Sequence, residues 1–344
     1  MKTKITELFR IEHPIILSGM SWISTPELVA AVSNAGGMGI LATGILNAEE
    51  TKDYIKRTKE LTNKPFAANV TLYFPGAERN AKILLEEKIP VINYALGKGD
   101  WIAKAVHAYG GKVIATVTTI KHALAAQKDG ADALIVTGHE AAGHGGQVTS
   151  LALIPTIAEA TDIPIIAAGG FADGRGLMAA LALGAQGVSM GTRLMNTQES
   201  PVHENQKIMT NKCDAFSTFY TNRVDGLPAR VMKTPGAKKL TKKKLNPLTA
   251  LFNSKKIATL LGFPWLKLAI GIVFSGYKKS VQMARMAIGF EAFKIGTMNG
   301  DNNKGVLPMG QVAGIIKDTP TVKEVIDRII AESEEIKNNL NQKF

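Results

Sequence analysis

The sequence predicts an α/β chain closed into a (β/α)8 TIM barrel, and three observations carry that prediction. Eight short apolar runs alternate with segments of helical spacing between residue 14 and about residue 210. The runs are nearly continuous in apolar residues, as expected of strands buried on both faces of a parallel sheet. About a dozen of the 33 glycines fall just after these runs, which suits α/β loops that approach a ligand by backbone.

Taken in order, the expected strands are Ile15–Ser18, Met38–Ala42, Phe66–Val70, Val91–Tyr94, Lys112–Val117, Ala133–Val136, Pro164–Ala168 and Gly187–Met190. Helical patterns lie between them at Thr25–Ala35, Ala48–Leu61, Ala77–Glu87, Lys121–Lys128, Leu151–Thr161 and Arg175–Leu183. Strict alternation calls for parallel pairing, and eight repeats in roughly 200 residues favour closure over an open doubly wound sheet. Thr25-Pro26-Glu27 reads as a helix N-cap, a proline in the first turn and an early acidic residue.

The length of 344 residues suits a barrel with an appended segment, and 45% apolar with 20% charged residues is a globular composition. Cys213 is the single cysteine, which excludes an internal disulfide and a zinc-thiolate or iron–sulfur site. With no apolar h-region at the N-terminus, a cytoplasmic protein is expected. The net charge of +12 is localised. Thirteen of the 41 Lys/Arg lie between Ala229 and Arg285, where there is no Asp or Glu, and the other 28 nearly cancel the 29 acidic residues. This segment is either a solvated surface or a docking face for something anionic, such as an acidic carrier protein. Scattered basic residues with few aromatics do not describe a nucleic-acid reader.

Barrel active sites lie at the C-terminal ends of the strands, so the residues after each strand are the ones to inspect. After strands seven and eight come AGGFADG (168–174) and MGTR (190–193). Glycines in two adjacent loops, with Thr192 in the second, suit a phosphate bound by backbone N–H groups. After strand six comes GHEAAGHGG (138–146), with two imidazoles and a carboxylate. Histidine there can take and return protons near neutrality. His139 and His144 lack a third ligand, so no metal is expected. His13, His107, His122 and His203 read as surface or packing residues. Gly19 permits close backbone approach, Met20 offers a polarisable surface for a flat ring, and Trp22 could pack under the same loop. Asn69 is a polar residue that ends an apolar run, with both donor and acceptor capacity.

The segments HPIILSGMSWISTPELVAAVSNAGGMGIL (13–41), GHEAAGHGG (138–146) and PIIAAGGFADGRGLMAALALGAQGVSMGTR (164–193) resemble the nitronate monooxygenase family. MGQVAG (309–314) is similar to a shorter motif near that family's C-terminus. Flavin enoyl-acyl carrier protein reductases and some NADH:quinone reductases share these motifs. The resemblance implies a flavoprotein with noncovalent FMN, lined by Gly19, Met20 and Asn69. It implies that Gly169, Gly170, Gly191 and Thr192 hold the flavin phosphate and that Gln311 contacts the ring. His144 matches the family's catalytic histidine, and Glu140 braces its loop.

The family pattern lapses over 226–300. AKKLTKKKLNPL (237–248) is basic, and IATLLGFPWLKLAIGIVFSGY (257–277) is apolar but interrupted by Pro264 and Lys267. A helical lid over the substrate pocket fits this segment better than a membrane span. The expected organisation is therefore a barrel over 1–225, a lid and substrate segment over 226–300, and a C-terminal return onto the barrel over 301–344. The leading functional expectation is oxidation of an alkyl nitronate by oxygen to a carbonyl compound and nitrite, with His144 as acid/base. The alternatives are an NAD(P)H-dependent enoyl-acyl carrier protein reductase and a quinone reductase. A small anionic or acyl substrate is expected, and a homodimer is compatible with the sequence.

Overall fold

A computed structural model describes residues 1–74, 76–243 and 277–343. Eight parallel strands form the barrel: β1 (Ile15–Leu17), β2 (Ile40–Ala42), β3 (Ala67–Thr71), β4 (Val91–Ala95), β5 (Lys112–Val117), β6 (Ala133–Thr137), β7 (Ile165–Ala168) and β8 (Val188–Met190). Each pairs with its neighbour in sequence from β2 to β8, and β8 pairs with β1. The ring closes where Leu17 N donates to Met38 O at 2.9 Å and Met38 N donates to Ile15 O at 3.0 Å. Met38 and Gly39 therefore belong to the closure, not to β2 proper. A Cβ on Gly39 would stand 2.4 Å from Val29 O, so this stretch packs tightly under the first barrel helix.

Alternation along each strand divides the core into two layers. Ile16, Ile40, Ala67, Val91, Ile114 and Ile166 fill the barrel interior, together with Ile5 and Phe9 from the helix Lys4–Phe9 that stops its N-terminal end. Ile15, Leu17, Leu41, Ile92 and Leu134 face outward against the helix ring. Burying an Ile or Leu side chain stabilises by roughly 1.5–3 kcal/mol, so both layers contribute heavily. The helix Ala48–Leu61 begins in a capping box, Asn47 with Glu50. The helix Pro26–Asn34 also starts where expected, but Thr25 makes no side-chain capping bond and its buried hydroxyl has no partner. The proline supplies the start instead, through its fixed φ.

Beyond β8 the chain forms an antiparallel hairpin, β9 (Thr218–Thr221) and β10 (Ala229–Met232), followed by the helix Pro235–Lys242. The helix Tyr277–Asn299 crosses the C-terminal end of the barrel and packs Met286, Phe290 and Phe293 against Phe74, Val224 and Val231. The last helix, Val322–Lys343, packs on the helix Gly174–Ala182. Glu332 accepts there from Gly174 N at 2.7 Å, and a Cβ on Gly174 would meet Glu332 Cβ at 2.7 Å. Residues 244–276, which hold most of the apolar and lysine-rich stretches singled out in the sequence, lie outside the described residues. No helix among the described residues is long and apolar enough to cross a membrane.

Candidate active site

A cavity of about 760 Å³ opens at the C-terminal ends of the strands. Ligand pockets usually enclose roughly 300–1,000 Å³, so this one has room for a cofactor with a substrate beside it. Its walls come from the ends of most barrel strands and from the crossing helix, through Phe290, Phe293 and Thr297.

One wall is rich in glycine and in backbone N–H groups. Gly169 and Gly170 follow β7 with φ of 98° and 89°, a region that favours glycine. Cβ atoms there would stand 3.1 Å from Gly138 O and 3.6 Å from Glu140 Cβ, so the turn itself demands glycine, more than any crowding does. Among the described residues, no hydrogen bond uses the N–H groups of Gly169, Gly170, Gly191 or Thr192. Buried Thr192 accepts from Gly310 N at 3.0 Å, which leaves its hydroxyl hydrogen free to donate. All four residues line the same cavity, and backbone N–H groups of this kind can receive an anion.

The floor is polar in an ordered way. Asn69 Nδ2 donates to Asn93 Oδ1 at 2.7 Å, and Asn93 Nδ2 donates to Thr116 Oγ1 at 3.0 Å and to Ile114 O at 3.1 Å. The chain of bonds fixes the orientation of both buried amides. Gly19 lies against it so closely that a Cβ would stand 2.7 Å from Asn69 Cβ. Met20 also lines the cavity, its sulfur 3.4 Å from where a Gly191 Cβ would be. Trp22 packs edge-on to Phe290 with ring centroids 6.0 Å apart. Burial pushes the Tyr94 phenol up to about 12, so this cavity residue stays neutral.

The loop after β6 separates its two histidines. His139 is outside the cavity lining, its Nδ1 3.0 Å from Gly146 O and its ring 4.4 Å from that of Tyr220. His144 lines the cavity with its side chain 27% exposed, and its Nε2 lies 2.8 Å from Asp225 Oδ2. Asp225 is 1% exposed, and its other oxygen accepts from Leu227 N at 3.1 Å. Where the carboxylate accepts, Nε2 carries the hydrogen and Nδ1 is the ring nitrogen left for another partner. The contact holds the ring in one orientation on the cavity wall. Among the described residues no group of three His, Cys, Asp or Glu is placed to hold a metal.

Long-range contacts hold the loop in place. Glu140 accepts from Ser150 N and Oγ, both at 3.0 Å, at the start of the helix Ser150–Ala160. Tyr220 donates to Gly145 O at 2.7 Å, and Arg230 donates to His139 O at 3.1 Å. Gln311 N donates to Glu140 O at 3.0 Å, but the Gln311 side chain is not part of the cavity wall, where Gly310 and Val312 stand instead. The remaining sequence-read residues Gly19, Met20, Asn69, Glu140, His144, Gly169, Gly170, Gly191 and Thr192 all line one cavity. Asp225 and Asn93 were not legible as site residues: Asp225 stands in a VDG turn 81 residues from its histidine, and Asn93 sits inside an apolar strand.

A sequence profile described as nitronate monooxygenase matches residues 2–84 and 73–332. A (3aS,4S,5R,7aS)-5-hydroxy-7a-methyl-1-oxo-octahydro-1H-indene-4-carboxyl-CoA dehydrogenase of Rhodococcus jostii (strain RHA1) is 37% identical over 97% of this chain and 96% of its own length. A probable nitronate monooxygenase of Staphylococcus saprophyticus is 31% identical over 67% of this chain and 78% of its own. Among solved structures, FabK from Thermotoga maritima superposes with a TM-score of 0.85 at 34% identity, over 100% of both chains.

Proposed function

We propose that this chain, which belongs to the nitronate monooxygenase family, is an FMN-dependent dehydrogenase of an acyl-CoA thioester, with His144 as its acid/base residue. The observation that carries the reading is the His144–Asp225 pair on the wall of a cavity whose opposite side offers unspent backbone donors. The flavin phosphate would sit on Gly169, Gly170, Gly191 and Thr192, and the ring would lie along Gly19, Met20 and Asn69. A bound flavin supplies a two-electron acceptor or donor.

The protein's own residues account for the proton. A thioester carbonyl acidifies the C–H next to it, and Nδ1 of His144 accepts that proton while Nε2–H stays on Asp225. The buried carboxylate stabilises the imidazolium that results, and general base catalysis of this kind contributes about 10²–10⁴-fold. Phe290 and Phe293 shelter the reacting carbons from water. In the reverse direction the same imidazolium would protonate an enoyl thioester, which is the enoyl reductase alternative.

Oxidation of an alkyl nitronate is the second reading, favoured by the family's name and by the Staphylococcus relative. His144 suits it too, since a nitroalkane also has an acidic α-C–H. The carboxyl-CoA dehydrogenase relatives weigh the other way because they are 37% and 36% identical over 97% of this chain, against 31% over 67% for the Staphylococcus relative. The deciding experiment incubates the flavin-loaded enzyme with acyl-CoA thioesters in D2O and follows deuterium at the carbon next to the thioester by mass spectrometry. Incorporation that disappears in His144→Ala supports the proposal. If no acyl-CoA exchanges while nitronates are turned over, the nitronate reading replaces it.

A further inference from the structure

Two arginines that the proton chemistry does not use stand beside Asp225: Arg223 in its loop and Arg285 on the helix Tyr277–Asn299. Arg285 Nη1 donates to Arg223 O at 3.0 Å, and Arg223 Nη1 donates to Thr241 O at 3.4 Å. Neither guanidinium has a carboxylate partner among the described residues. Asp225, the acid nearest to Arg223 in sequence, is buried and has both oxygens committed, one to His144 and one to Leu227 N. The two cations also feel each other: burial and then the charge of Arg223 hold Arg285 below the usual arginine range. Lys242 and Lys243, both exposed, follow directly after Thr241 and add to the same positive field.

The fold brings these charges together by close packing. Gly226 has φ 91°, and a Cβ there would meet Gln282 Cγ at 3.2 Å and Arg285 Cβ at 3.6 Å. A Cβ on Gly289 would meet Asp225 Cα at 2.7 Å. The 223–227 turn is therefore seated against one side of the helix Tyr277–Asn299. Asp225 faces the barrel, and Arg223 is exposed. Arg285 precedes Phe290 by five residues on that helix, about 7.5 Å along its axis, and Phe290 lines the cavity. Neither arginine lines the cavity, and both stand beside the turn whose Asp225 holds His144.

We propose that Arg223 and Arg285 bind the phosphate groups of the coenzyme A moiety, while its pantetheine arm runs along the helix Tyr277–Asn299 into the cavity. This rests on the acyl-CoA reading above. Two neighbouring guanidiniums without a counter-charge fit a phosphate, which accepts their forked N–H groups and relieves their mutual repulsion. Held outside the cavity, the phosphates would fix how deep the acyl group enters.

The test is equilibrium binding of coenzyme A, 3′-dephospho-coenzyme A and pantetheine to the flavin-loaded enzyme, in wild type, Arg223→Ala, Arg285→Ala and Arg223→Lys. Coenzyme A should bind about tenfold more weakly to each alanine variant, the loss expected from one charge-assisted contact. Arg223→Lys should recover part of that loss, and pantetheine should bind all four proteins alike. Equal loss of pantetheine affinity, or arginine-independent binding of coenzyme A with acyl-CoA still turned over, overturns the phosphate site and leaves the functional reading standing. Arginine-dependent turnover of acyl carrier protein thioesters in preference to acyl-CoA also overturns it, by giving the arginines a protein partner. A wild-type enzyme that neither binds coenzyme A nor acts on any acyl-CoA removes the functional reading itself.

Discussion

Replacing Asp225 by Asn tests the proton chemistry with the smallest change of shape. In the native protein the carboxylate accepts from His144 Nε2 at 2.8 Å and from Leu227 N at 3.1 Å, and it is 1% exposed. The amide keeps one oxygen for Leu227 but can present an NH2 to Nε2. The hydrogen would then reside on Nδ1, and the nitrogen left for the substrate would become a donor. The variant also loses the buried charge that stabilises the imidazolium. General acid/base catalysis is worth about 10²–10⁴-fold, and the variant keeps the His144 ring itself, so the lower end of that range applies. A fall of about 10²-fold in kcat, or ~2.7 kcal/mol of barrier, is expected with little change in KM. Stopped-flow measurement of the flavin absorbance after anaerobic mixing with acyl-CoA reads this rate directly, and flavin content checks that the site is intact. Because the two residues act as a unit, Asp225→Asn should add little to His144→Ala. A loss below about threefold, or full additivity in the double variant, would refute the paired base.

Other outcomes follow from the same geometry. Asn93→Ala should leave the buried Asn69 amide and Thr116 hydroxyl short of partners, weakening flavin binding and shifting its absorption spectrum, read by titration of the apoprotein. Gly169→Ala should lower flavin affinity and thermal stability by about 1–2 kcal/mol, because alanine resists φ 98° and its methyl would crowd Gly138 O. Cys213 is buried and burial pushes its thiol up, so a disulfide reagent at neutral pH should label it only after denaturant is added.

Much of the fold was readable because its signals are local. All eight barrel strands fall within two residues of the apolar runs that predict them, and Ala48–Leu61 has the predicted ends. Gly169 and Gly170 after β7 were legible because a positive φ leaves a mark in a single residue type, whereas Gly191 after β8 has φ −96° and stands on the same cavity wall. The hairpin β9–β10 escaped notice, since TFYT and ARVM are short and become strands only by pairing with each other. The choice between His139 and His144 could not be made from residue chemistry alone, because both stand in the same loop. It is made by contacts from distant chain: Tyr220 and Arg230 hold the His139 side, while Asp225 takes His144. Around Gln311 the motif marks a segment that meets the site by backbone, with Gly310 N donating to Thr192 and Gln311 N to Glu140 O.

The most direct test of the account mixes the flavin-loaded enzyme anaerobically with a panel of acyl-CoA thioesters and, separately, with an alkyl nitronate, and follows the flavin absorbance. The account predicts rapid bleaching by at least one acyl-CoA in wild type and its loss in His144→Ala. Bleaching by the nitronate with every acyl-CoA inert would contradict it.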